Sequence, residues 1–394
     1  MGKTAPRPER VLLALLGSAD CPAAGALPGL DSNAWGRIAE IAETHRLGPW
    51  LHSLHRDNPL VPVPLKAEWA AAYRQAALTA LAQRADLEAC CGLLETHGFA
   101  PLALKGSFLA RHAWPDPALR PMRDIDLLVA QDRVLAAYDL LLAHGYAQPA
   151  GSKLDLADHA RFEQHMPALQ MPRGSWLELH MRMSELDGRL EYATPQGNEA
   201  AVIARAVVID NVRYPAANDM LRHVITHAVY GHRFDCGPLL LGDVRYLIAR
   251  HPVDWDSFWA EAQAAKWAPG AALVFALVRE YHGAEAVPKH ADEPDATPEM
   301  LDLARDLIVQ DWETKMFSRF AAVLATGGFG YAWRRITGQV AGGAEGGVMI
   351  DRAQDGGRLR WAWRRGASLL RDLADPRIRA QTRQLARYRR WLTR

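Results

Sequence analysis

The chain divides by the period of its apolar positions. From residue 8 to about 98, Ala and Leu recur at helical spacing in Val11–Leu16, Trp35–His45 and Trp69–His97, with proline-rich breaks at 58–64. The run Ala67–Gly98 predicts one long helix that stops at Gly98, a C-cap position. The period then shortens. Phe99–Leu104 reads as a strand, Lys105-Gly106-Ser107 as a turn opening a helix to Trp114, and Pro115-Asp116-Pro117 as the break that ends it. Ile125–Ala130 predicts a second strand, and Gln131–His144 an amphipathic helix ended by Gly145. Phe162–Met171 and Ser175–Met183 predict two strands joined at Pro172-Arg173-Gly174, a hairpin signal. Beyond residue 216 helical spacing returns over Met220–Tyr230 with Asn218 as cap, then Leu239–Arg250, Trp255–Lys266, Ala271–His282, Pro298–Gln310 and Trp312–Leu324. Glycine pairs from Gly327-Gly328 to Gly356-Gly357 predict a flexible linker.

The expected organisation is a helical region over 1–98, an α+β module over 99–210 and a helical domain over 211–326. A Gly-rich linker over 327–357 and a tail over 358–394 follow. A chain of 394 residues suits two or three domains, and a hydrophobic content of 49% supplies a core. The net charge of +1 argues for no partner class in bulk. It hides an asymmetry, because twelve arginines face only Asp372 and Asp375 between Arg358 and Arg394. Trp361, Trp363, Tyr388 and Trp391 lie among them. That pattern suits base stacking on nucleic acid, an anionic membrane surface, or a helix docking on the acidic body of the same protein. The four cysteines Cys21, Cys90, Cys91 and Cys236 form no CxxC pair and read as reduced thiols. Val11–Leu16 is too short for a signal-peptide core, and no stretch approaches the roughly 20 apolar residues of a membrane span. A soluble, cytoplasmic protein is expected.

The candidate chemistry lies in two pieces, Leu104-Lys105-Gly106-Ser107 and Asp124-Ile125-Asp126. Residues i and i+2 of a strand face the same way, so Asp124 and Asp126 project together. Two such carboxylates repel, and a cation makes the arrangement favourable; hard oxygen ligands suit Mg²⁺ or Mn²⁺. An isolated DxD is more often a solvated strand end. Here the upstream turn adds a glycine that allows close backbone approach to a phosphate, a helix start with free N–H groups, and the Ser107 hydroxyl. Lys105 can neutralise phosphate charge or be an ordinary surface residue. A third acid is expected at Glu178, which alternates with Trp176 and His180 opposite Leu177 and Leu179; Glu163 competes for the role. Glu178 would share a metal or deprotonate an acceptor hydroxyl. His165 and His180 are candidates for substrate contact, or plain surface histidines.

The segment Leu104–Val129, LKGSFLARHAWPDPALRPMRDIDLLV, with Leu177-Glu178-Leu179-His180, resembles the uncharacterised bacterial nucleotidyltransferase family of the polymerase-β superfamily. The resemblance spans about residues 99–183 and, more loosely, 216–250, where His223, His227 and Asp243 fall. It implies a polymerase-β-like module, a mixed β-sheet with flanking helices, embedded between helical N- and C-terminal regions. It implies metal binding by Asp124, Asp126 and Glu178, and NTP phosphates at Gly106 and Ser107. Two departures stand out. Ser107 precedes Asp124 by seventeen residues where about a dozen is usual, so Pro115–Met122 would form a loop whose Arg120, with Arg123, reaches the triphosphate. Glu178 stands where Asp is common.

The expected function is thus a metal-dependent transfer of an NMP from an NTP to an acceptor (a peptide, RNA or small molecule), with release of pyrophosphate. The alternatives are a DxD metal-dependent glycosyltransferase and a non-catalytic nucleotide- or partner-binding module. His223 and His227 have the i, i+4 spacing of zinc proteases but Val224 in place of the required Glu, so a helix face near the cleft is the better reading.

Overall fold

A computed structural model describes residues 7–17, 29–149, 156–184, 199–310 and 376–392. The proposed linker, the segment Trp312–Leu324 and the first part of the basic tail lie outside the described residues.

The N-terminal helices are α1 (Pro8–Leu15), α2 (Ser32–Thr44), α3 (Gly48–His55) and α4 (Val63–Thr96). Asp31 caps α2 by accepting from the Ala34 N–H at 2.8 Å. At 34 residues, α4 spans roughly 50 Å. It ends as expected, with Gly98 in the left-handed region (φ 76°) and the Phe99 N–H turned back onto the Leu94 carbonyl at 2.9 Å.

The sheet follows. Strands β1 (Leu102–Ala103), β2 (Ile125–Leu128), β3 (Leu169–Gln170) and β4 (Trp176–His180) take the spatial order β1-β2-β4-β3. The pair β2–β4 is parallel, and β1–β2 and β3–β4 are antiparallel, so the sheet is mixed. Ile125, Leu127, Leu177 and Leu179 turn one face into the main core. On the other face Leu128 joins Leu102, Leu104, Met183 and Val202 in a small separate cluster.

Between β1 and β2 run a short helix α5 (Gly106–Phe108), a π-helical turn (Leu109–Ala113) and a 3-10 turn (Pro117–Leu119). Helices α6 (Val134–Ala143) and α7 (Leu156–Phe162) follow β2. Here the structure corrects the expected strand Phe162–Met171. Phe162 closes a helix, and only Leu169–Gln170 forms a strand against β4, with His165 adding an isolated bridge to His180; Pro167 between them cannot donate to a ladder. The hairpin itself is present, with Gly174 at φ 97°. The expected strand Phe99–Leu104 shrinks to its last residues, and Ile125–Ala130 stops at Leu128.

Helix α8 (Glu199–Ala204) leads to a second hairpin, β5 (Val207–Ile209) and β6 (Val212–Tyr214). Its turn residues Asp210 and Asn211 both have positive φ, at 50° and 61°, as a two-residue type I′ connection requires. The remaining helices are α9 (Ala217–Thr226), continued by a π-helical turn (His227–Gly231), then α10 (Leu239–Arg250), α11 (Trp255–Ala264), α12 (Ala268–His282) and α13 (Pro298–Leu307).

The end of the chain, α14 (Pro376–Leu392), packs on the body. Leu385 and Tyr388 are buried, and the Tyr388 hydroxyl donates to the Val229 carbonyl at 3.0 Å. Gln384 donates to Asp306 at 3.1 Å, and Arg387 pairs with Glu299. Of the three readings of the basic tail, docking on the same protein therefore holds for this helix. One apolar cluster contains residues from α1 through α14. No helix among the described residues is long and apolar enough to cross a membrane.

An aromatic joint ties the two ends of the fold together. Trp50 of α3 meets Trp114 edge-on at 4.9 Å and stacks on His282 of α12 at 5.9 Å. Arg245 Nη1 donates to His282 Nδ1 at 3.0 Å. Burial, then the Arg245 charge, lowers His282 from its ordinary 6.5 to about 3. As pH falls below 6.5 the unfolded chain takes a proton that the folded one refuses, so this residue costs about 1.4 kcal/mol per pH unit. His282→Gln, which still offers Arg245 an acceptor, should remove that loss. Urea unfolding of wild type and variant at pH 7 and pH 5 should show their stability difference moving by about 2 kcal/mol in the variant's favour. A difference independent of pH would contradict the assignment.

Candidate functional site

The register of β2 and β4 builds the site. Asp126 lies directly opposite Glu178, and Leu128 opposite His180, on the sheet face away from the main core. His180 Nε2 donates to Asp126 Oδ1 at 2.7 Å and lies 3.5 Å from Glu178 Oε2. Lys105 Nζ lies 3.6 Å from the same Asp126 oxygen. His165 joins through an isolated bridge to His180; its Nε2 is 3.6 Å from Glu178 Oε2, and its Nδ1 donates to the Met166 carbonyl. Asp126, Glu178 and His180 each offer a ligand atom, and these atoms lie within 4.8 Å of one another. That donor set fits a divalent cation: two hard carboxylates and one imidazole, a mixture that suits Mn²⁺ as well as Mg²⁺.

The electrostatics divide the acids. Burial works against ionising Asp126, but Lys105 and the His180 hydrogen bond outweigh it and hold this carboxyl well below its usual range. Burial also opposes the charge on Glu178, and His180 and His165 overcome it. His180 is raised to about 8: burial would lower it, and its hydrogen bonds to Asp126 and Glu178 more than compensate. Asp124, one residue before β2, goes the other way. Burial, then the charges of Asp126 and Glu178, raise it to about 7. Asp124 is thus near the cluster electrostatically, and the three side chains whose ligand atoms lie together are Asp126, Glu178 and His180.

The turn before the helix differs in detail from its sequence reading. The residue in the left-handed region is Lys105, at φ 41°. A non-glycine residue there carries strain of about 1–3 kcal/mol, the kind of cost that functional turns hold. It swings the Lys105 ammonium onto Asp126. A Cβ on Gly106 would sit 2.8 Å from Arg120 Nη1 and 2.8 Å from Met122 Sδ, so the glycine makes room for the loop. Ser107 is buried and its hydroxyl has no hydrogen-bond partner.

The loop Pro115–Met122 is held from four sides. Tyr73 of α4 donates to Asp116 at 2.5 Å, and Gln83 of α4 donates to the Met122 carbonyl at 3.2 Å. Arg46, between α2 and α3, donates to the Pro121 carbonyl at 3.1 Å. Arg120 forms a two-point pair with Asp243 of α10, at 2.5 and 2.8 Å, while Trp114 Nε1 donates to Asp243 at 2.8 Å. Arg123 is exposed.

Sequence reasoning had placed Asp243 near the site without a role and had missed Arg46 altogether. Glu163, the competitor for the third acid, is buried and is not one of the three residues of the cluster that Glu178 joins. His223 is buried with Nε2 unpartnered, and it feels Lys105, His180 and Asp126. His227 follows it at 5.8 Å between rings. These contacts place the pair on a helix face beside the site, and neither belongs to a metal-ligating group among the described residues.

The chain belongs to a family of uncharacterised nucleotidyltransferases, which matches residues 31–283. The match starts in α2, so the N-terminal helices that hold the Pro115–Met122 loop belong to the same family unit as the sheet. No curated protein and no solved structure matches the chain.

Asp243→Ala should leave the Arg120 guanidinium without its partner in a largely buried setting and cost about 3 kcal/mol of stability. The double variant Asp243→Ala/Arg120→Met should recover at least 1 kcal/mol of that loss, since both charges are then gone. Denaturant unfolding of the two single variants and the double measures the coupling; additive losses would mean that the pair is not the source.

Proposed function

We propose that this member of the uncharacterised nucleotidyltransferases transfers an NMP from an NTP to an acceptor, within a polymerase-β-like module over 99–210. The observation that carries the reading is the convergence of Asp126, Glu178 and His180 beside Lys105 and the Ser107 turn. In the reaction the acceptor oxygen loses its proton and bonds to the α-phosphorus. The bond from that phosphorus to the bridging oxygen breaks, and pyrophosphate leaves with the electron pair.

Asp126, Glu178 and His180 would hold a divalent cation, with Asp124 beside them, and that cation supplies charge neutralisation and Lewis-acid polarisation at the phosphate. The chain's own groups do the rest. Lys105 brings a positive charge to the acids' edge, where departing negative charge collects. The Ser107 hydroxyl at the start of α5 is unpartnered and suits a phosphate oxygen, whereas the Ser107, Phe108 and Leu109 N–H groups expected to serve there are taken by the Leu104 and Lys105 carbonyls. Arg120, locked by Asp243, and the exposed Arg123 add charge on the same side. Glu178 is placed to share the cation or to take the acceptor's proton, and His165 steadies it at 3.6 Å. The buried free thiols Cys90 and Cys91, whose ionisation burial opposes, fit a reducing, cytoplasmic setting.

The test is transfer of label from each α-labelled NTP, with Mg²⁺ or Mn²⁺ and cell extract as acceptor source. Wild type should label an acceptor, and Asp126→Asn and Glu178→Gln should each reduce the rate about 100-fold or more. Ser107→Ala should cost about 10-fold, the loss of one phosphate donor. Equal labelling by wild type and Asp126→Asn would refute the assignment. So would the absence of both labelling and metal-dependent NTP binding.

A further inference from the structure

A half-open cavity of about 740 Å³ runs between α2, α4 and the side of α5, a size ordinary for a small-molecule site, and none of the site's acids lines it. Its walls mix apolar residues, among them Leu65, the indole of Trp69 and Ala76, with polar ones that include Glu40, Glu43 and Glu68. One end is chemically different. Ser107, Arg46 and Arg120 line it there, and these are the lining residues tied to the acid cluster: Arg46 feels Asp124, and Arg120 feels Asp126 and Asp124. The Ser107 hydroxyl, on a side chain 1% exposed, and Arg46 Nε are both buried with no hydrogen-bond partner. Burial, then the nearby charges of Arg123 and Arg120, lower Arg46 to about 10, so these guanidinium groups repel one another even though Asp243 pairs with Arg120. An anion placed among them would relieve that repulsion, and its oxygens would satisfy the two orphaned donors.

A cavity with anion-seeking donors on the side nearest the acids, and with Trp69 and polar side chains such as Gln75 and Thr79 in its walls, suits a phosphate carried on a planar, hydrogen-bonding ring. We infer that the cavity between α2 and α4 is the nucleoside pocket, receiving the base and sugar of the NTP while the phosphates emerge past Arg46 and Ser107 toward Asp124 and Asp126. This rests on the nucleotidyltransferase reading. It assigns to the N-terminal helices, which lie outside the sheet module, the task of binding the part of the substrate that distinguishes one nucleotide from another. The match of the family from residue 31 onward places those helices in the same unit as the acids.

Filling the chamber tests it. Ala76→Phe and, one turn along α4, Ala80→Leu would project into the cavity without touching the acids or the phosphate turn. Binding of each of the four NTPs and of inorganic tripolyphosphate, with Mg²⁺, is titrated on the full chain, and thermal unfolding shows which variants are folded. At least one folded variant should lose NTP affinity by tenfold or more while tripolyphosphate affinity stays within twofold. Folded variants that bind NTPs as wild type does would overturn the pocket and leave the nucleotidyltransferase reading standing. Equal loss for NTP and tripolyphosphate would also overturn it, because the change would then act on the phosphate site. Wild type that binds no NTP at all would remove both.

Discussion

A buried carboxylate needs compensation, and in this fold that carboxylate is Asp126. It is nearly inaccessible to water, in the middle of a short strand, with a second acid directly across the parallel register. Two charges in that position are unfavourable unless cations and hydrogen bonds face them. The surrounding structure supplies these. His180 comes from the end of the same strand that carries Glu178, and Lys105 is swung in by a backbone conformation that few non-glycine residues adopt. The strain at Lys105 and the short, interrupted strands make sense as consequences of placing charge where a sheet would ordinarily place apolar side chains.

The second constraint is the pair between Arg120 and Asp243. It joins the loop before the acidic strand to a helix more than a hundred residues later, and Trp114 shares the same carboxylate. Together with Tyr73, Gln83 and Arg46, it makes the loop the place where the N-terminal helices, the sheet and the later helices meet. The loop Pro115–Met122 would otherwise be costly to order; here α4, the α2–α3 connection and α10 each satisfy part of it. The site is therefore shaped by parts of the chain that carry none of its acids.

Much of this was legible from local pattern. The long helix ending at Gly98, the hairpin at Gly174 and the later helices α10 to α13 follow from periodicity and capping residues. Asp126, Glu178 and His180 are brought together as their strand positions suggest, with Lys105 reaching them from a turn and His165 from an isolated bridge. The misreadings have local causes. Apolar residues around Phe162 and Met166 look like strand, yet Pro167 breaks the ladder and Phe162 closes a helix. The Asp210-Asn211 turn was a readable hairpin signal that passed unread. The basic run at the C-terminus is ambiguous in sequence because its arginines are spread round the helix, while burial of Leu385 and Tyr388 decides which face docks.

By itself the sequence determined the elements that depend on neighbours in the chain: helical and strand periods, the glycine stops, the alternation that puts Glu178 and His180 on one face. Those are short-range matters of sterics and side-chain direction. Only the tertiary structure decided that β2 and β4 run parallel in the register that sets Asp126 against Glu178, and that His180 completes the three-residue cluster. The same holds for the Asp243 carboxylate that grips Arg120 and for Arg46 in the lining of a cavity. Each of these is a contact between residues far apart in sequence. It is selected by the need to bury apolar faces while leaving no buried charge without a partner, and local patterns carry no record of which distant residue will meet that need.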